Sequence, residues 1–365
     1  MKTLWIRYKK SLFWIGLGLL ALLIRFLLAG KPDWIETYYS RRIFVALRSG
    51  IDVLAGLFPI PLIYPFIALL VFDVGRRKWK WLKTKMAWSE RLLSGLFGIL
   101  GFLGGVIFFF LFLWGYNYGR LSLESQLGLQ PQALSLEELK EELDIETEKL
   151  IAGRAVFGWK DSVALTDPKL IKGMEAKLRA AVERWLSENG YPVAGEVRGR
   201  YVYPKGIFLH FGSSGLYFPF TGEGHIDAGL TILQKPYVMA HEMSHGYGFG
   251  DEGTCNFIAY VSCIHSDDPF LAYIGHLSYW RTLATNYLSY KPDEYRSFRA
   301  TLPLAIQADL DAINVNLLAY PDIMPALRDA AYEAYLKSQG IEEGMKNYNR
   351  VIMLARAWRL KGKLG

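Results

Sequence analysis

The stretch from Lys235 to Cys263, KPYVMAHEMSHGYGFGDEGTCNFIAYVSC, carries most of the chemical information in this chain. It contains His241-Glu-Met-Ser-His245, an HExxH pattern. On a helix, residues four apart share a face, so both imidazoles can reach one metal ion. Glu242 points to the edge of that face, where it can take a proton from an activated water rather than bind the metal. The context predicts a helix: Pro236 suits its first turn, and Gly246, Gly248 and Gly250 end it.

Glu252 follows His245 by seven residues and opens a second predicted helix, EGTCNFIAY. A tight turn lets that helix fold back and aim Glu252 at the same metal. Two His, one carboxylate and an open position make a catalytic zinc site, so one Zn2+ ion is the expected cofactor. The plainer reading of Glu252 is a helix N-terminal carboxylate that complements the macrodipole. Asn256 lies one turn below Glu252 on the same face and can support a ligating His by a hydrogen bond. Cys255 and Cys263 are eight residues apart on this helix. Two turns separate them by about 12 Å, too far for a disulfide, so both read as core residues.

Around this segment the chain divides by composition. Of 365 residues, 52% are hydrophobic and 21% charged, which excludes a disordered chain. Up to residue 120 there are 17 Lys and Arg against 5 Asp and Glu, a net of +12. After it there are 25 against 30, a net of −5. A basic excess confined to the apolar third points to anionic membrane lipid rather than nucleic acid as its partner. Three apolar runs, 11–30, 53–72 and 92–114, each have about the 20 residues that a membrane-crossing helix needs. Pro59, Pro61 and Pro65 in the second run predict a kinked span. The basic N-terminus and the Arg76–Arg91 loop place those ends in the cytoplasm. Three crossings then leave everything after Trp114 outside.

The expected organisation is a membrane domain, 1–115, and an extracytoplasmic domain, 116–365. The second is mainly α: Ser135 and Glu138 form a capping box, and Asp167-Pro168 starts a long helix that stops at Gly190. RYVYPKGIFLHF and GLYFPFTGEGHID, from Arg200 and Gly215 onward, suggest a small sheet or hairpin. His210, His265 and His276 sit among apolar neighbours and read as packing residues.

Glu252-x-x-Cys-Asn256 resembles the Glu-x-x-Ala-Asp signature of gluzincin peptidases of the CAAX prenyl protease and heat-shock membrane peptidase type. The resemblance implies a zincin-like domain with Glu252 as third zinc ligand and position 256 behind the ligands. Asn256 departs from that pattern, because a neutral amide replaces the carboxylate. In zinc peptidases an extended segment beside the zinc helix often pairs with substrate. Thr221, Gly222, Glu223 and His225 in TGEGHID are the matching candidates, with a structural turn as the alternative. A wider similarity rests on the three spans, WGYNYGR, YFPFTGEGHID, MAHEMSHGYGF, EGTCNFIAYVSC and NYNRV. It joins the chain to an uncharacterised bacterial membrane family, a domain of unknown function with an HExxH motif. That resemblance alone nominates Tyr348 and Arg350 as donors to a developing oxyanion.

The function expected is that of a multi-pass bacterial inner-membrane zinc metallopeptidase. It would hydrolyse peptide bonds in a peptide or protein substrate, with Glu242 as general base. The alternative is a non-catalytic membrane scaffold or binding protein with a structural zinc. An intact Glu242 argues against that alternative, since a structural site has no need of a base. An intramembrane protease is disfavoured, because its HExxH would lie inside an apolar span. The sequence leaves the oligomeric state open.

Overall fold

The structure, a computed structural model, describes residues 2–158 and 162–363; the side chains of residues 2–7, 345 and 348 lie outside that description. It is mainly helical and divides into two units. The first runs to Leu121 and includes Phe218–Gly222; the second comprises Ser122–Tyr217 and the chain from Glu223 onward. The boundary expected at 115 therefore falls at Leu121. The residues after Trp114 stay with the first unit because Tyr116 donates to Ala21 O at 3.0 Å and Arg120 holds Glu36 at 2.8 Å.

The first unit contains α1 (Lys2–Leu28), α2 (Pro32–Trp34), a π-helical segment (Ile35–Ile43), α3 (Phe44–Gly56), α4 (Ile63–Lys83) and α5 (Trp88–Leu113). Among the described residues, two helices are long and apolar enough to cross a membrane: Tyr8–Leu28 of α1 and Trp88–Leu113 of α5. Their apolar side chains, such as Leu19, Leu23, Phe26, Leu96 and Ile99, are exposed rather than packed in a core. The expected second span, 53–72, is not one helix. Chain geometry at Pro59 and Pro61 ends α3 at Gly56 and delays α4 to Ile63, with Pro65 tolerated in its first turn. Beyond Phe72, α4 runs on through Arg76, Arg77, Lys78 and Lys80, which lowers its apolar content.

Helices α1 and α5 pack in parallel. Tyr8 stacks on Phe97 at 4.6 Å, Gly101 abuts Ser11, and Gly104 abuts Trp14 and Ile15. A Cβ on Gly104 would sit 2.5 Å from Trp14 O, so the close backbone approach requires glycine there.

The second unit begins with α6 (Leu123–Leu127), α7 (Leu136–Ala155) and α8 (Met174–Glu188). The Ser135–Glu138 capping box forms as expected. Asp167 caps only the short turn Pro168–Ile171, because Gly173 adopts a positive φ of 69° and α8 starts afresh after it. Strands β1 (Arg198–Val202), β2 (Gly215–Phe218) and β3 (Glu223–Asp227) form a sheet ordered β1-β3-β2. β1 and β3 are parallel, with Arg200 opposite His225. Then follow α9 (Lys235–Gly246), α10 (Glu252–Ile264), α11 (Pro269–Tyr290), α12 (Pro292–Ala300), α13 (Leu304–Leu318), α14 (Pro325–Ser338) and α15 (Arg350–Leu360). Helix α10 runs through the core. Phe257, Ile258, Ala259, Val261 and both cysteines are fully buried among residues of α8, α9, α11 and α15.

Candidate metal centre

Helix α9 forms with Pro236 in its first turn and ends at Gly246, and Gly248 turns the chain with φ 87°. Asp251 caps α10 by accepting from Thr254 N at 2.7 Å. The fold-back places Glu252 beside both histidines. His241, His245 and Glu252 are buried, and their facing ligand atoms lie within 4.8 Å of one another. Glu252 Oε2 stands 3.1 Å from His241 Nε2 and 3.3 Å from His245 Nε2, and the two Nε2 atoms are 3.2 Å apart. Donors at adjacent corners of a tetrahedral zinc site, with bonds of about 2.0–2.1 Å, stand about 3.3 Å apart. The triangle therefore fits a small divalent cation, and three donors leave a fourth position for another ligand.

The remaining ring nitrogens are fixed from behind. His241 Nδ1 lies 2.8 Å from Asn256 Oδ1, and His245 Nδ1 lies 2.7 Å from Phe249 O. Both partners are acceptors, so each Nδ1 carries a proton, which leaves each Nε2 as the atom that would bind a metal. Cys255 Sγ also approaches His245 Nδ1 at 3.3 Å. Burial disfavours charge on Glu252, but the His245 and His241 imidazoles outweigh it and hold the carboxyl below the usual range.

Glu242 is buried beside the triangle. Burial pushes its carboxyl above the usual range, with the His241 and His245 imidazoles pulling partly the other way. Two glycines make room for it. A Cβ on Gly224 would meet Glu242 Cβ at 2.7 Å, and one on Gly215 would meet Glu242 Oε1 at 2.6 Å.

The other sequence candidates fall elsewhere. Glu223 and His225 are fully buried in β3, 3.5 Å apart, with Arg200 at 3.4 Å from Glu223. Thr221 and Gly222 lie in the turn grouped with the first unit, where Thr221 Oγ1 donates to Phe218 O at 3.3 Å. β3 is the middle strand of its sheet, so TGEGHID has no edge to offer a substrate; β2 is the edge strand near Glu242. Arg350 pairs with Glu124, with Asp251 at 3.7 Å and with Glu343 at 3.8 Å, rather than with the metal ligands. The side chain of Tyr348 lies outside the described residues. NYNRV instead contributes Asn347, which accepts from Gly253 N at 2.9 Å and donates to Asp251 at 2.7 Å, clamping the start of α10. His276 pairs with Glu146 at 2.7 Å, His265 with Val261 O at 2.8 Å and His210 with Pro321 O at 2.9 Å. Tyr332 is a neighbour that local sequence did not reveal. Its hydroxyl donates to Glu252 Oε1 at 2.8 Å from 80 residues further along the chain.

A helical domain with a buried His-His-Glu cluster on two adjoining helices is the class that fold and site define. The family described as "Protein of unknown function (DUF3810)" matches residues 39–355, and the chain belongs to that family. No curated protein and no solved structure matches the chain.

Proposed function

We propose that the chain is a membrane-anchored zinc-dependent metallopeptidase. The observation that carries the reading is the donor triangle with a buried carboxylate, Glu242, next to it. A zinc ion held by His241, His245 and Glu252 would supply Lewis acidity, lowering the pKa of water and polarising a carbonyl. Glu242 takes the proton of the attacking water and passes it to the leaving amine. Burial raises its proton affinity, which suits a proton acceptor. An extended peptide would lie along edge strand β2, whose Gly215 adjoins the Glu242 carboxylate.

The parallel packing of α1 and α5 supports an extracytoplasmic position for the second unit. Two parallel helices cannot both cross a bilayer unless the chain between them returns. Tyr39 meets the C-terminal end of α5 through Phe112 O at 2.8 Å, and Trp81 meets its N-terminal end through Arg91 O at 3.2 Å. In the proposed topology the segment containing α3 and α4 supplies the return, which makes the number of crossings odd. With the basic N-terminus in the cytoplasm of a bacterial inner membrane, the chain after α5 lies outside it.

Burial of all three donors favours the second reading, a scaffold with a structural zinc. Glu242→Gln separates the two in the full-length protein. The peptidase reading expects metal retained and hydrolysis of a peptide library reduced by about 10²–10⁴-fold. Full hydrolysis by this variant with zinc bound would refute the role of Glu242, and no hydrolysis by the wild type would favour the scaffold.

A further inference from the structure

We infer that Tyr332 is a positioning residue of the metal centre, one that commits Glu252 to single-oxygen ligation and so keeps a coordination position open. The inference rests on the metal reading of the His241–His245–Glu252 cluster. The two oxygens of Glu252 have different partners. Oε2 faces both imidazole Nε2 atoms, at 3.1 and 3.3 Å. Oε1 accepts the Tyr332 hydroxyl at 2.8 Å.

A carboxylate beside a divalent cation can bind through one oxygen or through both. The second oxygen then takes a position that water or a substrate carbonyl would otherwise occupy. A phenol donating to Oε1 engages that oxygen and fixes the carboxylate plane. Tyr332 is neutral in this role, so it leaves the full negative charge on the ligand. Helix α14 holds it in place. Leu336 is fully buried, and the Tyr332 and Tyr335 rings stack at 6.1 Å. The helix also packs on the Gly344–Asn349 turn, and Asn347 of that turn clamps Asp251 and Gly253 on either side of Glu252. The carboxylate is thus held through its own oxygen by α14 and through its flanking backbone by Asn347.

The test uses the purified full-length chain in detergent, with Zn2+ titrated against a chelator and Co2+ as a spectroscopic stand-in. Tyr332→Phe removes one oxygen atom and keeps the ring and its stacking. It is expected to weaken zinc binding by about tenfold or more. It should also lower the intensity of the cobalt d–d bands, as Glu252 swings to two-oxygen ligation and the coordination number rises. Tyr335→Phe, on the same helix, should match the wild type in both. A cobalt spectrum identical in wild type and Tyr332→Phe would overturn the inference, whatever the affinity. His245→Ala keeps the two failures apart: if it binds zinc as tightly as the wild type, the metal reading itself is wrong.

Discussion

Gly215 lies against the carboxylate of Glu242, so that a methyl group on Gly215 would stand 2.6 Å from Oε1 and 2.8 Å from the His225 carbonyl oxygen. The first neighbour is a side-chain tip that can turn; the second is strand backbone that cannot. Gly215→Ala should therefore swing the Glu242 carboxylate away and ease β2 slightly off β3, while leaving the metal ligands on α9 and α10 in place. Displacing a reacting group by about 1 Å costs on the order of 10²-fold in rate. Hydrolysis should fall by that order with zinc stoichiometry unchanged. Unaltered turnover in Gly215→Ala would show that Glu242 is not the proton acceptor or that β2 does not position it.

Asn256 gives a second test, because its Oδ1 accepts from His241 Nδ1 at 2.8 Å. Asn256→Ala removes the acceptor and frees the ring to rotate, so zinc affinity should drop by about 10–100-fold. Asn256→Asp restores an acceptor of higher charge, which makes the imidazole a stronger donor to the metal. Its affinity should equal or exceed that of the wild type. Equal affinities in all three proteins would remove Asn256 from the site.

How much of this was legible in the sequence depended on how local each feature is. The HExxH pair and Glu252 could be read because both lie within one short stretch, where helix geometry fixes what faces what. Asn256 followed from the same periodicity. Tyr332 could not be read, since nothing in AAYEAY near it indicates that α14 docks on Glu252. Order within the sheet was equally hidden. The Glu223–Asp227 part of TGEGHID is extended as expected, but only the long-range pairing of β1 with β3 shows that it is the central strand. The second apolar run misled because hydropathy does not register backbone geometry. Pro59 and Pro61 divide it between α3 and α4.

Metal removal should be visible in stability. Folding brings three buried donors together that the unfolded chain keeps apart, so metal binding is coupled to folding. At free zinc of 100 times Kd, binding stabilises the folded chain by about 2.7 kcal/mol. For a unit of this size that corresponds to roughly 5–10 °C in Tm. Chelation should lower the melting temperature of the wild type by that amount and leave Glu252→Gln nearly unchanged, as that variant binds zinc poorly from the start. A wild-type Tm that ignores chelation would count against any resident metal.

The packing of α1 on α5 makes a prediction about sidedness that does not depend on the metal. Tyr8 meets Phe97, Ser11 meets Gly101 and Ile15 meets Gly104, so residue numbers rise together along both helices. From Arg91 to Leu111 helix α5 climbs about 30 Å, the thickness of a hydrocarbon core. The chain must descend the same distance between Tyr39 and Trp81, which touch opposite ends of α5. A reporter inserted between Lys83 and Trp88 should therefore lie on the same side as the N-terminus. One fused to the C-terminus should lie on the other. On the proposed topology, the basic residues of α4 and the N-terminus put the first side in the cytoplasm. Gly104→Leu places a side chain where Trp14 O leaves 2.5 Å for a Cβ, so it should loosen the helix pair without altering zinc binding in the second unit. Should both reporters be active in the same compartment, α5 does not cross the membrane. The parallel pair would then have to be a packing of interfacial helices, and the substrate pool would be the cytoplasmic one.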